Sequence, residues 1–373
     1  MLRRIICGCL AAMLAAWLML PIQGYAADAL GELAAAGEVV LPDTAETVLS
    51  EAGISAEEPT SVLDLSPRKW LAMLLDAAKT EASAPISLLA ALLTLMFLTA
   101  VLGGLGDMAA KGGLRDLAEF LCVLVCVGAA AVPLCGCLSR TADALREGSV
   151  FMGSFVPVFG GFLAAGGAVA SGTSYQMLVF FLTELMQQLN GHVLFPLLEA
   201  AAALGIADAV NPSLRLGGLV QGIRRAVTWL LGFLMTAFAS LLSVRSFVAD
   251  AADGLAVKAV RLAASGLIPI VGGAVSEAYG SVQGSIRLMQ SGTGVLGILA
   301  IIWLTLPPLL SVVCYRAVFG LVGIAAELTG TDAVQKFCRD AEAVLRTAFA
   351  MLVTYAVMLI FSTAVLLLMM GGA

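Results

Sequence analysis

Five segments of this chain are long enough and apolar enough to cross a lipid bilayer as helices. Each holds 19 to 24 residues, and a helix needs about 20 apolar residues to cross a hydrocarbon core of about 30 Å. Only 12% of all residues are charged, against about 25% in a typical soluble domain. We therefore expect an all-α, polytopic integral membrane protein. The five segments are Pro85–Leu105, Glu119–Leu138, Ala226–Val244, Gly294–Cys314 and Thr347–Met370.

Four further apolar segments are interrupted by Pro, Gly or polar residues. Each of them could span, re-enter or lie inside the protein, because broken backbone is tolerated at membrane depth only where protein or water covers it. Ten spans result if all nine segments cross and one of them crosses twice. We expect about seven to ten membrane-embedded helices. The interrupted segments are Ser149–Ala170, Ser174–Ala209 (the one that could cross twice), Leu262–Gln283 and Ala317–Leu328.

The first 26 residues have the layout of a signal peptide. A basic start, Met1 to Arg4, precedes an apolar run from Ile5 to Leu20 and a short polar stretch that ends at Ala26. Gly24 and Ala26 supply the small residues that precede a cleavage site. An uncleaved anchor helix is the alternative. We predict a signal peptide over residues 1–26.

Residues 27–82 form the next predicted unit, and residues 83–373 form the polytopic membrane domain. Residues 27–65 contain nine Asp and Glu and no Lys or Arg, so behind a signal peptide this segment is expected outside the cytoplasm. Arg68, Lys69 and Trp70 then precede apolar residues at helical spacing, which indicates an interfacial helix on the membrane surface.

Part of the membrane domain is repeated at an offset of 112 residues, which predicts an internal duplication with copies at about 119–209 and 226–328. Val156-Pro157-Val158-Phe159-Gly160-Gly161 matches Ile268-Pro269-Ile270-Val271-Gly272-Gly273. Each copy continues with small residues four apart, and such stripes let membrane helices approach closely. Chance similarity between Gly-rich segments is the alternative. The predicted packing seams are Pro157, Gly160, Gly161, Ala164, Ala168 and Gly172 in the first copy, and Pro269, Gly272, Gly273, Ser276, Gly280 and Gly284 in the second.

Cationic residues gather at three places between the apolar segments, which predicts that these loops face the cytoplasm. By this rule the N-terminal segment lies outside the cytoplasm. The cations are Lys111 and Arg115, then Arg215, Arg224 and Arg225, then Lys336, Arg339 and Arg346.

Residues for catalysis or for cofactor and metal binding are not evident. His192 is the single histidine, so a His-based metal cluster is excluded, and a Gly-rich phosphate loop ending in Gly-Lys is missing. The net charge of −6 argues against nucleic-acid binding, which needs clustered cations. We expect a non-enzyme without cofactors. Glu184, Gln188, His192 and Glu199 form the best polar group, and ionisable residues at membrane depth suggest a proton or ion path; contact with water or headgroups at an interface is the plainer interpretation.

The signal-peptide layout, the acidic segment and above all Phe155-Val156-Pro157 through Gly166-Gly167 to Ser171 resemble the stage III sporulation protein AE family. The resemblance extends over nearly the whole chain, including the second copy, Leu267-Ile268-Pro269-Ile270. It implies a multi-pass protein of the mother-cell membrane in an endospore-forming bacterium, and a channel or secretion-like complex that links the mother cell with the engulfed forespore.

The resemblance also implies partners. They are the other stage III sporulation A-operon proteins, which include a cytoplasmic ATPase and ring-forming subunits, and the forespore stage II sporulation protein Q, reached through the complex. The family has no known catalytic residues to carry over. The alternative function is a stand-alone secondary transporter, which an internal duplication and Glu184 and Glu199 at membrane depth would suit.

The signal-peptide prediction can be tested by N-terminal sequencing of the mature protein. We expect Ala27 as the first residue, because Gly24 and Ala26 place the cleavage site after residue 26. An intact Met1 would instead identify an uncleaved anchor.

Overall fold

The computed structural model describes residues 67–108, 112–165, 169–211, 216–240 and 272–371, and within them all regular structure is helical. The expected all-α class is confirmed for this part of the chain. The helices are α1 (Pro67–Met108), α2 (Gly112–Ala165), α3 (Val169–Leu189), a π-helix (Asn190–Leu194), α4 (Phe195–Val210), α5 (residues 217–240), α6 (Gly272–Thr329) and α7 (Asp332–Gly371).

Five stretches of these helices are long and apolar enough to cross a membrane, which supports the expected membrane protein. The count of seven to ten spans is not confirmed. The signal peptide and the acidic segment up to residue 66 lie outside the described residues. The five stretches are Leu74–Leu98, Val123–Val158, Met177–Val210, Gly294–Thr329 and Asp332–Ala364.

Helices α2 and α6 are far longer than a bilayer is thick. They hold 54 and 58 residues, so each is about 80 Å long or more at a rise of about 1.5 Å per residue. Helix α2 includes Glu119–Leu138 and most of Ser149–Ala170, and α6 includes both Gly294–Cys314 and Ala317–Leu328. The chain reversals that ten spans would need between these segments are therefore not found in these two helices. The residues between the two segments of α2 include Arg, Leu and Glu, which are good helix formers, so a fall in hydropathy does not end the helix.

Two other predicted boundaries also lie within continuous helical structure. The interfacial helix and the first predicted span are both parts of α1, which continues through Pro85. Segment Ser174–Ala209 is helical from α3 to α4 with a π-helix at Asn190–Leu194, and it does not turn back at Asn190-Gly191. A double crossing, which was one possibility for this segment, is not found in these described residues, because a wider helical turn accommodates the Asn-Gly pair.

The predicted duplication is not confirmed. Gly160, Gly161 and Ala164 lie near the end of α2, and Gly172 lies in α3. The corresponding glycines and Ser276 of the second copy lie in the single helix α6. The two copies thus differ in helical course over the described residues. Ala168 and Pro269 lie outside the described residues, and the seams stay a prediction.

Helices α6 and α7 form an antiparallel pair at the centre of the bundle. Gly330, with φ of 71°, ends α6, and the Thr331 amide donates to the Ala326 carbonyl at 3.0 Å, the hydrogen bond typical of a glycine-terminated helix. The Phe319 and Phe337 rings then meet edge to face at 6.0 Å. Helices α1 and α2 pack against α6, and α2 and α4 pack against α7.

Two glycines allow α2 and the central pair to approach closely. A Cβ atom at Gly148 would lie 2.8 Å from the Tyr355 ring, and one at Gly297 would lie 2.4 Å from the Phe155 ring. Phe155 is fully buried, so its ring has little room to move. These contacts set α2 antiparallel to α6 and parallel to α7.

Large apolar side chains are exposed in the half of the bundle that contains the turn at Gly330, which we call the turn half. Along α1 they extend over 15 residues, about 22 Å, which is most of the thickness of a hydrocarbon core. We call them the apolar belt. The belt consists of Ile86, Leu93, Phe97, Leu98 and Val101 on α1, Phe120, Leu121, Leu124, Val125 and Val132 on α2, and Leu321, Ile324 and Leu328 on α6; α5 exposes Leu219, Trp229 and Phe233 in addition.

The close approach at Gly297 predicts a specific stability defect. We expect Gly297→Ala to lower the free energy of unfolding by about 1–3 kcal/mol, since the new methyl group collides with the buried Phe155 ring. The measurement is thermal unfolding in a mild detergent. Gly128→Ala is the matched control on an open helix surface and should leave stability unchanged or slightly raised. Equal stability of both variants would contradict the proposed contact.

Candidate functional site

Three of the four predicted polar residues form a connected row on the surface of α3 and the π-helix. Gln188 donates from Nε2 to Glu184 Oε1 at 2.9 Å, and His192 Nδ1 lies 3.3 Å from the Gln188 carbonyl oxygen. The residues are four apart, so they follow one face of the helix. We call Glu184, Gln188 and His192 the polar row.

Glu199, the fourth predicted residue, does not join this row. It is exposed on α4, seven residues beyond His192 and therefore about 10 Å further along the axis. The residues between them at helical spacing are Phe195 and Pro196, which offer no polar side chain. The structure therefore divides the predicted group into a row of three and a separate carboxylate.

The π-helix beside the row contains a buried amide. Asn190 is 2% exposed, and neither its Oδ1 nor its Nδ2 has a hydrogen-bond partner among the described residues. Pro196 follows closely, and a proline ring displaces the carbonyl four residues before it, here that of His192. The wider turn, in which the Phe195 amide donates to the Asn190 carbonyl, accommodates this clash. Such π-bulges are frequent at functional sites.

The polar row also lies beside polar groups of the central helix. The fully buried Tyr355 of α7 has its hydroxyl beside Ser149 of α2, and Glu184 is close enough to act on it electrostatically. Ser149 of α2, Glu184 of α3 and Tyr355 of α7 therefore lie in the same part of the bundle.

A second group of charges lies in the turn half, and its central residue, Asp208, was missing from the sequence-based prediction. Asp208 is fully buried near the end of α4. Its Oδ2 lies 2.6 Å from Lys336 Nζ of α7, and its Oδ1 accepts a 2.9 Å hydrogen bond from the Leu216 amide. The carboxylate thus satisfies backbone N–H groups at the start of α5, where the helix dipole favours a negative charge.

Five further charges continue this group along α5, α6 and α7. Glu342 Oε1 lies 2.8 Å from Arg346 Nη2 and 3.7 Å from Arg316 Nη2. Burial lowers the pKa of the Arg224 guanidinium, and the nearby carboxylate of Asp340 offsets part of that effect. We call the whole set the charged layer: Asp208, Arg224, Arg316, Lys336, Asp340, Glu342 and Arg346.

The charged layer partly agrees with the predicted cationic loops. Arg224, Lys336 and Arg346 do gather at one end of the bundle, but they lie on helices α5 and α7 and not in loops. Hydropathy alone could not distinguish a charged loop from a charged helix. The cytoplasmic orientation of this end stays a prediction.

One sequence signal could have identified Asp208. An acidic residue in the last turn of a helix opposes the helix dipole, and Asp208 interrupts an otherwise apolar run of α4. Such a residue requires a specific partner. Its partner, however, lies 128 residues further along the chain, and that pairing depends on the tertiary fold.

The chemistry available at both sites is electrostatic. Over the described residues, His, Cys, Asp and Glu do not form a group of three that could hold a metal ion. The Glu184 and His192 side chains of the polar row can accept and donate protons, and the charged layer can hold helices α4, α5 and α7 together.

The charged layer predicts a strong coupling between two residues. Asp208→Ala should lower the free energy of unfolding by about 2 kcal/mol, because it removes the carboxylate that accepts from the Leu216 amide and pairs with Lys336, whose side chain is 42% exposed and stays partly solvated. Asp208→Asn with Lys336→Met should cost less than the sum of the single changes. Thermal unfolding in detergent is measured for the wild type, Asp208→Asn, Lys336→Met and the double variant. Strict additivity of the two single effects would show that the two residues do not interact.

The chain was also compared with known proteins. The model of the family described as Stage III sporulation protein AE matches residues 57–370. A relative named Stage III sporulation protein AE, from Bacillus subtilis (strain 168), is 21% identical over 265 residues, which cover 71% of this chain and 66% of the relative. No solved structure matches.

The family match includes every described helix and the two polar sites. It confirms the resemblance noted from Phe155 to Ser171 and supports a role in sporulation. The chain belongs to the stage III sporulation protein AE family.

Proposed function

We propose that this protein is a non-catalytic platform or conduit subunit of a membrane complex that links the mother cell with the engulfed forespore and is required for forespore development. One observation carries the proposal. In the turn half of the bundle, α1, α2 and α6 expose the apolar belt, whereas α7 exposes charges at the same height.

Several contacts establish that these heights agree. Leu134 of α2 and Phe337, Ala341 and Val344 of α7 line one narrow gap, so the end of the belt on α2 is level with the first half of α7. The position of α1 along α2 is given by a salt bridge, in which Glu81 Oε2 lies 3.2 Å from Arg140 Nη1. Ile86 is five residues further along α1, and so it lies level with residues just before Arg140 on the antiparallel α2.

The exposed charges on α7 require a polar environment. Arg339 and Arg346 are exposed, and an Arg at the centre of a bilayer costs about 2.5–3.5 kcal/mol or more. The belt on the other helices suits lipid. A chain with a lipid-compatible side and a charged side at one height is suited to an assembly in which protein or water covers the charges.

The resemblance suggests the other members of this assembly. We propose contacts with the other stage III sporulation A-operon proteins, including a cytoplasmic ATPase and ring-forming subunits, and, through the complex, with the forespore stage II sporulation protein Q. The protein would lie in the mother-cell membrane. A signal peptide would place the acidic segment, residues 27–65, between the two membranes. The proposal also includes membrane spans in addition to the five stretches, and a duplicated core.

One observation favours a different function. The polar row joins Glu184, Gln188 and His192 along one helix face beside a π-helix with a buried amide, and such rows conduct protons in transporters. A stand-alone secondary transporter is therefore the second candidate. It differs from the first in that it should work without partners.

The two functions are separated by purification from sporulating cells. We expect the tagged full-length protein, isolated in mild detergent, to retain the ATPase and ring subunits, identified by mass spectrometry. Reconstituted alone in liposomes, it should move no solute in response to a proton gradient. A solitary protein that acidifies liposomes, with loss of that activity in Glu184→Gln, would overturn the platform proposal in favour of transport. An unrelated membrane protein with the same tag is the control for retention.

A further inference from the structure

We propose that two copies of this chain associate head to tail, with Glu199 on the outer face of α4 in one copy against Arg346 on the outer edge of α7 in the next. The inference rests on the exposed surfaces of these two helices. It holds whether the protein is a platform or a transporter.

The outer face of α4 has an unusual composition for a lipid-facing surface. It consists of Pro196, Glu199, Ala200 and Ala203, all exposed, and large exposed apolar side chains are missing from the described residues of α4. Small residues allow a second helix to approach closely. A single carboxylate in the middle of this face requires a donor or a cation from the approaching helix.

The outer edge of α7 offers such a cation. The Arg346 side chain is 62% exposed and uses Nη2 for Glu342 of its own helix. The guanidinium has five N–H donors in a planar fork, so it can bind a second carboxylate while it keeps the first. The α4 face is acidic and the α7 edge is cationic, so the two surfaces are complementary in charge.

The two surfaces also lie at the same height. The salt bridge from Asp208 to Lys336 fixes the position of α4 along the antiparallel α7. One turn earlier on α4, and one turn later on α7, Gly205 lies against Asp340. From this pair, Glu199 is nine residues back along α4 and Arg346 is ten residues forward along α7. At about 1.5 Å per residue, both are about 14 Å from the pair, within about 2 Å of each other in height.

This height coincides with the margin of the apolar belt, where an exposed carboxylate such as Glu199 would face lipid. The gap shared by Leu134, Ala201, Ala202 and Val344 places Glu199 and Arg346 close to the level of Ile86 and Val132 of the belt. A second copy would give the Glu199 carboxylate a cationic partner in Arg346, which keeps its own contact with Glu342. Because the two surfaces differ, the contact is heterologous, and repetition of it generates a closed ring or an open chain.

The test uses full-length protein that carries two different affinity tags and is co-expressed in one cell. Wild-type copies should copurify through either tag in mild detergent. Glu199→Arg alone and Arg346→Glu alone should each reduce copurification with itself at least tenfold. Co-expression of one variant with the other should restore copurification and the wild-type mass by light scattering. Both contacts between unlike copies are then complementary, because the two reversed residues face each other in one contact and the native Glu199 and Arg346 face each other in the other.

Two sets of controls accompany this test. The combined variant Glu199→Arg with Arg346→Glu in one chain should regain the wild-type mass, which excludes misfolding as the cause of the single defects. Asp143→Arg and Arg146→Glu reverse exposed charges on α2 and should not alter association. Single variants that associate as wild type does, a wild-type monomer, or failure of the reversed pair to recover would each overturn the head-to-tail contact without bearing on the sporulation role.

Discussion

Hydrogen bonding of the backbone within long, uninterrupted helices is the constraint on which the rest of this structure depends. A helix satisfies its own N–H and C=O groups in lipid and in water alike. A helix such as α2 can therefore continue from an apolar stretch through Arg140 and Arg146 into a second apolar stretch without a loop. The result is a bundle whose polar sites lie along helix surfaces, at defined heights, and not in the loops between short spans.

Helix continuity also determines how the sites are built. The polar row exists because Glu184, Gln188 and His192 follow one helix face, and the charged layer exists because the α6–α7 turn and the end of α4 lie at one end of the bundle. Asp208 joins three helices with one carboxylate. Specificity of assembly here depends on a few buried polar contacts, while the apolar core supplies the bulk of the packing.

The sequence predicted the helical class and the helical spacing of Glu184, Gln188 and His192, because both depend on local composition and on a spacing of about 3.6 residues per turn. The predicted polar group also included Glu199, which the structure places apart. It did not predict that Glu119–Leu138 and Ser149–Ala170 belong to one helix, because hydropathy measures the preference for lipid and not the preference for helix. The pairing of Asp208 with Lys336 was also beyond reach, since it depends on how α4 packs against α7. The sequence also did not predict the role of Gly297, because the need for a residue without a side chain there follows from the position of the Phe155 ring.

The π-helix at Asn190–Leu194 has a consequence for everything that follows it. A π-bulge is equivalent to one residue inserted into an α-helix, and each residue turns an α-helix by about 100°. Had this segment been regular, the whole of α4 would be rotated by about that angle relative to α3. Asp208 would then point well away from Lys336. The bulge therefore sets the rotation of α4 about its axis relative to α3. A one-residue deletion there would alter the orientation of side chains about 25 Å away.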